Sequence, residues 1–209
     1  MKVVLASHNQ GKIREFQALL KNYAIDIIPQ ADLGVSDIAE TGVTFVENAL
    51  IKARHAARTT GLPALADDSG LTVAALKGAP GIYSARYANA GGVNASHANI
   101  AKLLTALGDV PDAERRAYFY CVLVFITHEN DPTPLICDGK WHGSILTAPR
   151  GEFGFGYDPV FYVPSEGRAS AELTPEVKNK MSHRGIALQS LLKLLPDKIN
   201  ECALGTRSN

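Results

Sequence analysis

Pro63-Ala64-Leu65-Ala66-Asp67-Asp68-Ser69-Gly70 is the stretch on which the fold of this chain turns. Its apolar beginning, Pro63 to Ala66, has the composition of a buried strand, and it ends in two carboxylates and a hydroxyl. Strand side chains alternate between faces, so Asp67 and Asp68 must point to opposite sides. One can hold backbone or a cation while the other faces a cleft. Gly70 then permits a sharp turn, after which Leu71 to Ala74 take up the strand again. A carboxylate at such a strand end can hold Mg²⁺ or accept a proton from water. The same residues also suit a loop cap, with Asp and Ser bonding nearby N–H groups in an Asx-turn. Both readings stand on this stretch alone.

Upstream, Thr44-Phe45-Val46-Glu47 has the form of a capping box, and the helix it opens runs to about Thr60. Phe45, Ala49, Ala53 and Ala56 share its apolar face, and Gly61 and Pro63 stop it. Lys52, Arg54, His55 and Arg58 lie elsewhere and suit a solvated face. Before it, residues 30–43 read as an acidic loop with Asp32, Asp37 and Glu40. Tyr23 to Ile28 reads as a short strand ended by Pro29. At the start, Val3 to Ala6 is a buried strand, and Ile13, Phe16, Leu19 and Leu20 mark one face of a helix. Between them lies Ser7-His8-Asn9-Gln10-Gly11-Lys12. A strand, a polar loop and a helix start aim free backbone N–H groups at the loop, ready for phosphate, and Lys12 adds a point charge. A Walker loop is excluded by the spacing, and an ordinary capped βα turn explains the stretch equally well.

Downstream, Gly78-Ala79-Pro80-Gly81 is a turn, Ala95 to Leu107 a helix, and Arg116 to Thr127 the strongest strand signal, expected to be central. Leu135 to Cys137 and Ser144 to Thr147 read as two further strands joined through Gly139 and Gly143, with Trp141 as an edge anchor. Gly151-Glu152-Phe153-Gly154-Phe155-Gly156-Tyr157-Asp158-Pro159 alternates glycine with aromatic residues. That pattern suits the gripping of a flat base, and equally a glycine-rich turn carrying core aromatics. Thr174-Pro175-Glu176 opens a helix, and Ser182 precedes a last one whose buried side is Ile186, Ala187, Leu191, Leu192, Leu194 and Leu195. Lys178, Lys180, His183 and Arg184 cluster between these starts.

The 209 residues are 46% hydrophobic and 20% charged, with 21 basic and 21 acidic side chains, so no global field recruits nucleic acid or an anionic membrane. Apolar runs such as Cys121 to Ile126 are far too short to span a bilayer, and no signal peptide is visible. Cys121, Cys137 and Cys202 lack metal-ligand spacing and read as reduced thiols of a cytosolic protein.

A phosphate loop, Mg²⁺-competent acids, a base-stacking loop and a basic helix start together describe a nucleotide site with a hydrolytic centre. With these motifs the chain resembles the inosine/xanthosine triphosphate pyrophosphatase family. The resemblance rests on Ser7 to Lys12, Glu40-Thr41-Gly42, Phe45 to Ala49, Ala66 to Leu71, Gly78 to Arg86, Phe155 to Pro159 and Ser182-His183-Arg184, in order along the chain. His8 is a small departure from the pattern. The resemblance implies Mg²⁺-dependent hydrolysis of dITP, ITP and XTP to the monophosphate and pyrophosphate. It implies that Ser7, His8, Asn9, Gln10, Gly11, Lys12 and Lys52 contact the triphosphate, that Glu40 and Asp68 hold the metal, and that Asp68 is the catalytic base with Asp67 as a supporting acid. Ser69 would touch the substrate, Phe155 would stack on the base with Gly156, Tyr157 and Asp158 shaping its pocket, and Lys178, His183 and Arg184 would read the base edge. A pyrophosphatase of pyrimidine or modified nucleotides, and a nucleotide sensor without hydrolysis, are the rival readings. The expected fold is α/β: a long twisted mixed sheet flanked by helices, two lobes around a substrate cleft. A single domain over residues 1–195 with a C-terminal tail over 196–209, a cytoplasmic location and a homodimer complete the expectation.

Overall fold

The computed structural model describes residues 1–20, 23 and 25–205, with the backbone alone for Val93 and residues 201–205. Its strands are β1 (Lys2–Leu5), β2 (Asp26–Pro29), β3 (Ala64–Val73), β4 (Arg116–Ile126), β5 (Leu135–Ile145), β6 (Phe161–Val163) and β7 (Arg168–Ala169). They form one seven-stranded sheet in the order β2-β1-β3-β4-β5-β6-β7. β1 runs parallel to β2 and β3, while β6 is antiparallel to β5 and β7, so the sheet is mixed. The helices are α1 (Gln10–Leu20), α2 (Phe45–Thr60), α3 (Ala95–Leu107), α4 (Pro175–Met181) and α5 (His183–Gly205). The α/β expectation holds.

The chain divides into two compact units: Met1–Asp68, Cys121–Gly139 and the residues from Arg184 on, and Ser69–Tyr120 with Lys140–His183. Each has its own apolar core. In the first, Ile13, Phe16 and Leu20 of α1 and Ala187, Leu188, Leu191 and Leu195 of α5 pack with Val3, Leu5, Leu123 and Phe125 of the strands. α2 contributes a buried row of small residues, Ala49, Ala53, Ala56 and Ala57. Its capping box is formed as the sequence implies: the Thr44 hydroxyl accepts from the Glu47 N–H, and the Glu47 carboxylate accepts from the Thr44 N–H at 2.8 Å. In the second unit, Leu103 and Leu107 of α3 meet Leu71, Phe119, Trp141 and Phe161.

The structure differs from the local expectations at several points. Gly70 makes no turn; β3 runs unbroken from Ala64 to Val73 through both aspartates. β5 is likewise one strand of eleven residues rather than two joined through glycines. Gly143 is there for a close approach: a Cβ on it would lie 2.3 Å from the Tyr162 carbonyl oxygen on β6. Trp141 is therefore buried mid-strand, beside Phe119 and Phe161. β2 begins at Asp26 and includes Pro29, which an edge strand tolerates. In α5, Leu194 is exposed and Leu188 takes the core position. α5 also continues past Pro196 to Gly205, where a tail was expected; residues 206–209 of that tail lie outside the described ones.

Candidate functional site

The first unit gathers the acids and cations. Asp67 and Asp68 lie on opposite faces of β3, as alternation demands, yet both are buried. Asp67 receives Lys12 of α1, with Nζ 2.9 Å from its Oδ2, and Arg184 of α5, with Nη2 at 3.4 Å. The other terminal nitrogen of Arg184 pairs with Glu15, one turn beyond Lys12 on α1. Burial alone would raise the Asp67 carboxyl, but Lys12, Arg184 and Lys52 outweigh it and hold the group far below its ordinary range. Asp67 is a permanent anion.

Asp68 has the opposite character. Its Oδ1 lies 3.5 Å from Lys52 Nζ, and Asn48 Nδ2 donates to its Oδ2 at 3.2 Å. Lys52 also binds Glu40 Oε1 at 2.7 Å, so one ammonium bridges two carboxylates. Burial raises the Asp68 pKa; Lys52 and Lys12 oppose this, Glu40 and Asp67 reinforce it, and the net shift is upward. Adjacent carboxylates whose pKa values are pushed apart have the electrostatic form of a fixed anion beside a proton acceptor. Lys52 itself is raised: burial works against its charge, but Asp67, Asp68 and Glu40 prevail.

The β1–α1 loop differs from expectation in one respect. Its first-turn N–H groups are not all free, because Asn9 Oδ1 accepts from Gly11 N at 2.9 Å and Lys12 N at 3.1 Å as a helix cap. Ser7 is buried, with its Oγ accepting from Asn9 N at 3.2 Å, and Gln10 opens α1 on the surface. His8 turns to residues 35–37 rather than into the loop. Here the anion-holding capacity rests mainly on the lysine charge.

The second unit holds the aromatic elements. Phe155 is partly exposed, with Lys178 Nζ 5.0 Å from its ring centroid. Asp158, buried, accepts from Lys178 Nζ at 2.7 Å, from Phe155 N at 2.8 Å and from Ser170 Oγ at 2.8 Å. It thus fixes both the backbone under Phe155 and the ammonium above the ring. Tyr157 is buried, its hydroxyl donates to the Ser84 carbonyl at 2.9 Å, and burial pushes its pKa upward. Its part is that of a strut. His183 is buried and stacked on Phe119, 4.9 Å between centroids and 14° between planes. Ser69 is half-buried on β3 and Gly156 has a left-handed backbone, φ 62°.

The structure thus brings Lys12, Lys52, Glu40 and Asp68 together in one unit, and Phe155, Tyr157, Asp158 and Lys178 in the other. Arg184 goes with the acids, its guanidinium fully buried between Asp67 and Glu15. Among the described residues no group of three or more His, Cys, Asp or Glu side chains is arranged to hold a metal ion. Glu40 and Asp68, two hard oxygen donors drawn to one cation, nonetheless fit Mg²⁺, which takes one or two carboxylates and completes its shell from water and phosphate.

The model of the Ham1 family matches residues 3–194. This chain belongs to the Ham1 family. Its similarity to other Ham1-type proteins extends over nearly its whole length. The dITP/XTP pyrophosphatase of Vibrio parahaemolyticus serotype O3:K6 (strain RIMD 2210633) is 59% identical over 194 residues, 93% of this chain and 96% of that protein. The protein of that name from Escherichia coli (strain K12) is 57% identical over 194 residues, 93% and 98% of the two chains. A HAM1 protein structure from Coxiella burnetii superposes with a TM-score of 0.85 at 56% identity, covering 94% of this chain and 99% of the other.

Three residues of this Ham1-family site escaped the sequence reading. Glu15 was detectable only as a carboxylate three residues after Lys12 on α1. Asn48 follows the capping-box glutamate, and its side chain bonds both Asp68 and the Gly42 N–H, the latter at 2.9 Å. Ser170 carries no sequence signal at all; it matters because Asp158 needs a third donor.

Proposed function

We propose that this chain hydrolyses the non-standard purine nucleoside triphosphates dITP, ITP and XTP to the monophosphate and pyrophosphate, clearing them from the nucleotide pool. The observation that carries the reading is the divergent pair on β3, with Asp67 locked as an anion and Asp68 raised beside Glu40 and Lys52. The names of relatives at 57–59% identity support it. Lys12 and Lys52 meet the triphosphate, exchanging part of their pairing with Asp67, Asp68 and Glu40 for phosphate oxygens. Phosphoryl chemistry needs such neutralisation and positioning more than covalent help. Asp68 takes a proton from the attacking water onto a carboxylate oxygen, while Asn48 and Lys52 fix the carboxylate plane. Glu40 and Asp68 would hold Mg²⁺, which when bound supplies further neutralisation of phosphate charge.

Phe155 and Lys178 present a ring face and an ammonium donor to the base. Hypoxanthine and xanthine offer a 6-oxo acceptor where adenine offers an amine. A donor facing that position leaves ATP mismatched, a kind of contrast that discriminates by about 10⁴-fold or more. Pyrophosphate release from ITP, XTP, dITP, GTP, ATP and TTP with Mg²⁺ tests the reading. Preference for the 6-oxo purines without amino groups supports it, and hydrolysis of pyrimidine nucleotides alone, or of none, would overturn it. The homodimer and the cytoplasmic location remain part of the proposal, supported by the family resemblance, and sedimentation of the purified protein measures the first.

Two further outcomes follow from the geometry. The acid limb of kcat/KM should lie above the ordinary aspartate value of 3.8, because Asp68 must be ionised to act and burial raises it. A pH profile with its acid limb below that value would remove Asp68 as the base. Gly154→Ala should raise KM for ITP about ten-fold, the loss of one hydrogen bond to a charged group. Gly154 has φ 81°, and a Cβ there would stand 2.1 Å from Asp158 Oδ2, the oxygen that holds Phe155 and Lys178. Unchanged KM would mean that Asp158 does not shape the base pocket.

A further inference from the structure

The acidic segment between β2 and α2 is gripped by imidazoles from two directions. His8, in the β1–α1 loop, places Nε2 3.2 Å from the Val35 carbonyl oxygen and 3.4 Å from Asp37 Oδ1. His55, on α2, places Nε2 2.9 Å from the carbonyl oxygen of the next residue, Ser36. A carbonyl only accepts, so both rings carry their proton on Nε2. Gln30 adds a longer contact, Nε2 to Asp37 Oδ1 at 3.4 Å, and Val35 is buried beneath. Four residues after Ser36 comes Glu40, whose carboxylate meets Lys52, one helical turn before His55 on α2. α2 therefore holds the end of this segment through Glu47 and Asn48, and its middle through His55 and Lys52, while the loop that precedes Lys12 holds it through His8.

We propose that His8 and His55 are positioning residues that clamp residues 35–37 and thereby set the Glu40 carboxylate beside Asp68 for metal binding. The inference rests on the reading of Glu40 and Asp68 as metal carboxylates. It assigns His8 to the metal side of the site instead of to the triphosphate. Groups that orient metal ligands commonly govern metal affinity or activity by about 10–100-fold.

The test uses His8→Ala, His55→Ala and the donor-retaining His8→Gln. In metal-free protein, deuterium exchange at the amides of Val35, Gly42 and Val43, which are hydrogen-bonded here to Gln30 O, Asn48 Oδ1 and Glu47 Oε2, should quicken in both alanine variants. Mn²⁺ affinity measured by titration, and the Mg²⁺ concentration for half-maximal pyrophosphate release, should each weaken about ten-fold. His8→Gln should recover most of both, and His55→Ala should keep kcat at saturating Mg²⁺. Unchanged exchange in both alanine variants overturns the clamp. Faster exchange with unchanged metal affinity, while Glu40→Gln weakens it, overturns the positioning role and leaves the metal reading intact. Metal affinity indifferent to Glu40→Gln overturns the metal reading and this inference with it.

Discussion

Asp68→Asn is expected to cut turnover by about 10²–10⁴-fold, the usual contribution of a general base, in a protein that melts at the same temperature or higher. The two halves of that expectation come from one observation. The Asp68 pKa is raised in the folded state by burial and by its acidic neighbours. A raised carboxylate weakens the fold as pH climbs through its titration, so at neutral pH the ionised group is a cost to stability. An isosteric amide removes that cost while keeping the side chain's shape beside Asn48 and Lys52. It cannot take a proton from water. Pyrophosphate release from ITP together with thermal melting reads both halves. Near-normal turnover would show that another group activates the water, and a lower melting temperature would show that the carboxylate is structural.

Arg184→Met should act in the opposite sense, on the fold before the chemistry. The guanidinium is fully buried and joins Asp67 on β3 to Glu15 on α1. Removing one partner of a buried ion pair costs about 3–5 kcal/mol, because a charge is left in low dielectric without its counter-ion. For a chain of this size that is a drop of about 6–20 °C in melting temperature. The pH dependence carries its own sign. Asp67 is held below its ordinary 3.8, so its contribution to stability is complete above that value and is lost as pH falls below it. Without Arg184 the depression shrinks, and acid unfolding should begin at higher pH than in the unaltered protein. The ratio of ITP to ATP rates distinguishes this role from base reading. An anchoring arginine leaves the ratio in the folded fraction unaltered, whereas a narrowed ratio with unchanged melting would return Arg184 to the base edge.

The comparison of these two residues shows what the sequence made legible. Period-2 alternation was enough to split Asp67 from Asp68, and the hydroxyl–glutamate spacing was enough to start α2 at Phe45. Both are local rules, and local rules survive folding. That Arg184 would pair with Asp67, 117 residues away, and His8 with the Val35 carbonyl, 27 residues away, was not legible, because such partners are set by packing that no local pattern encodes. Gly70 and Gly143 failed for a related reason. A glycine in a strand looks the same in sequence whether it marks a turn or the close approach of a neighbour, and only the second strand tells which. Asn9 illustrates a third limit: the loop motif correctly located a helix start, but not that its own side chain would occupy two of the N–H groups on offer.

The far end of α5 places a constraint on how this protein can be shortened. Lys198, buried, donates to Asp131 Oδ1 at 2.9 Å and to the Thr133 carbonyl, while Asp131 also accepts from Thr127 and Thr133. The match to the Ham1 family stops at residue 194, before this lysine. A chain trimmed after residue 194 would strand an aspartate inside the β4–β5 connection, and should melt lower or precipitate. The last residue that a family pattern describes is not the last residue that holds the fold together.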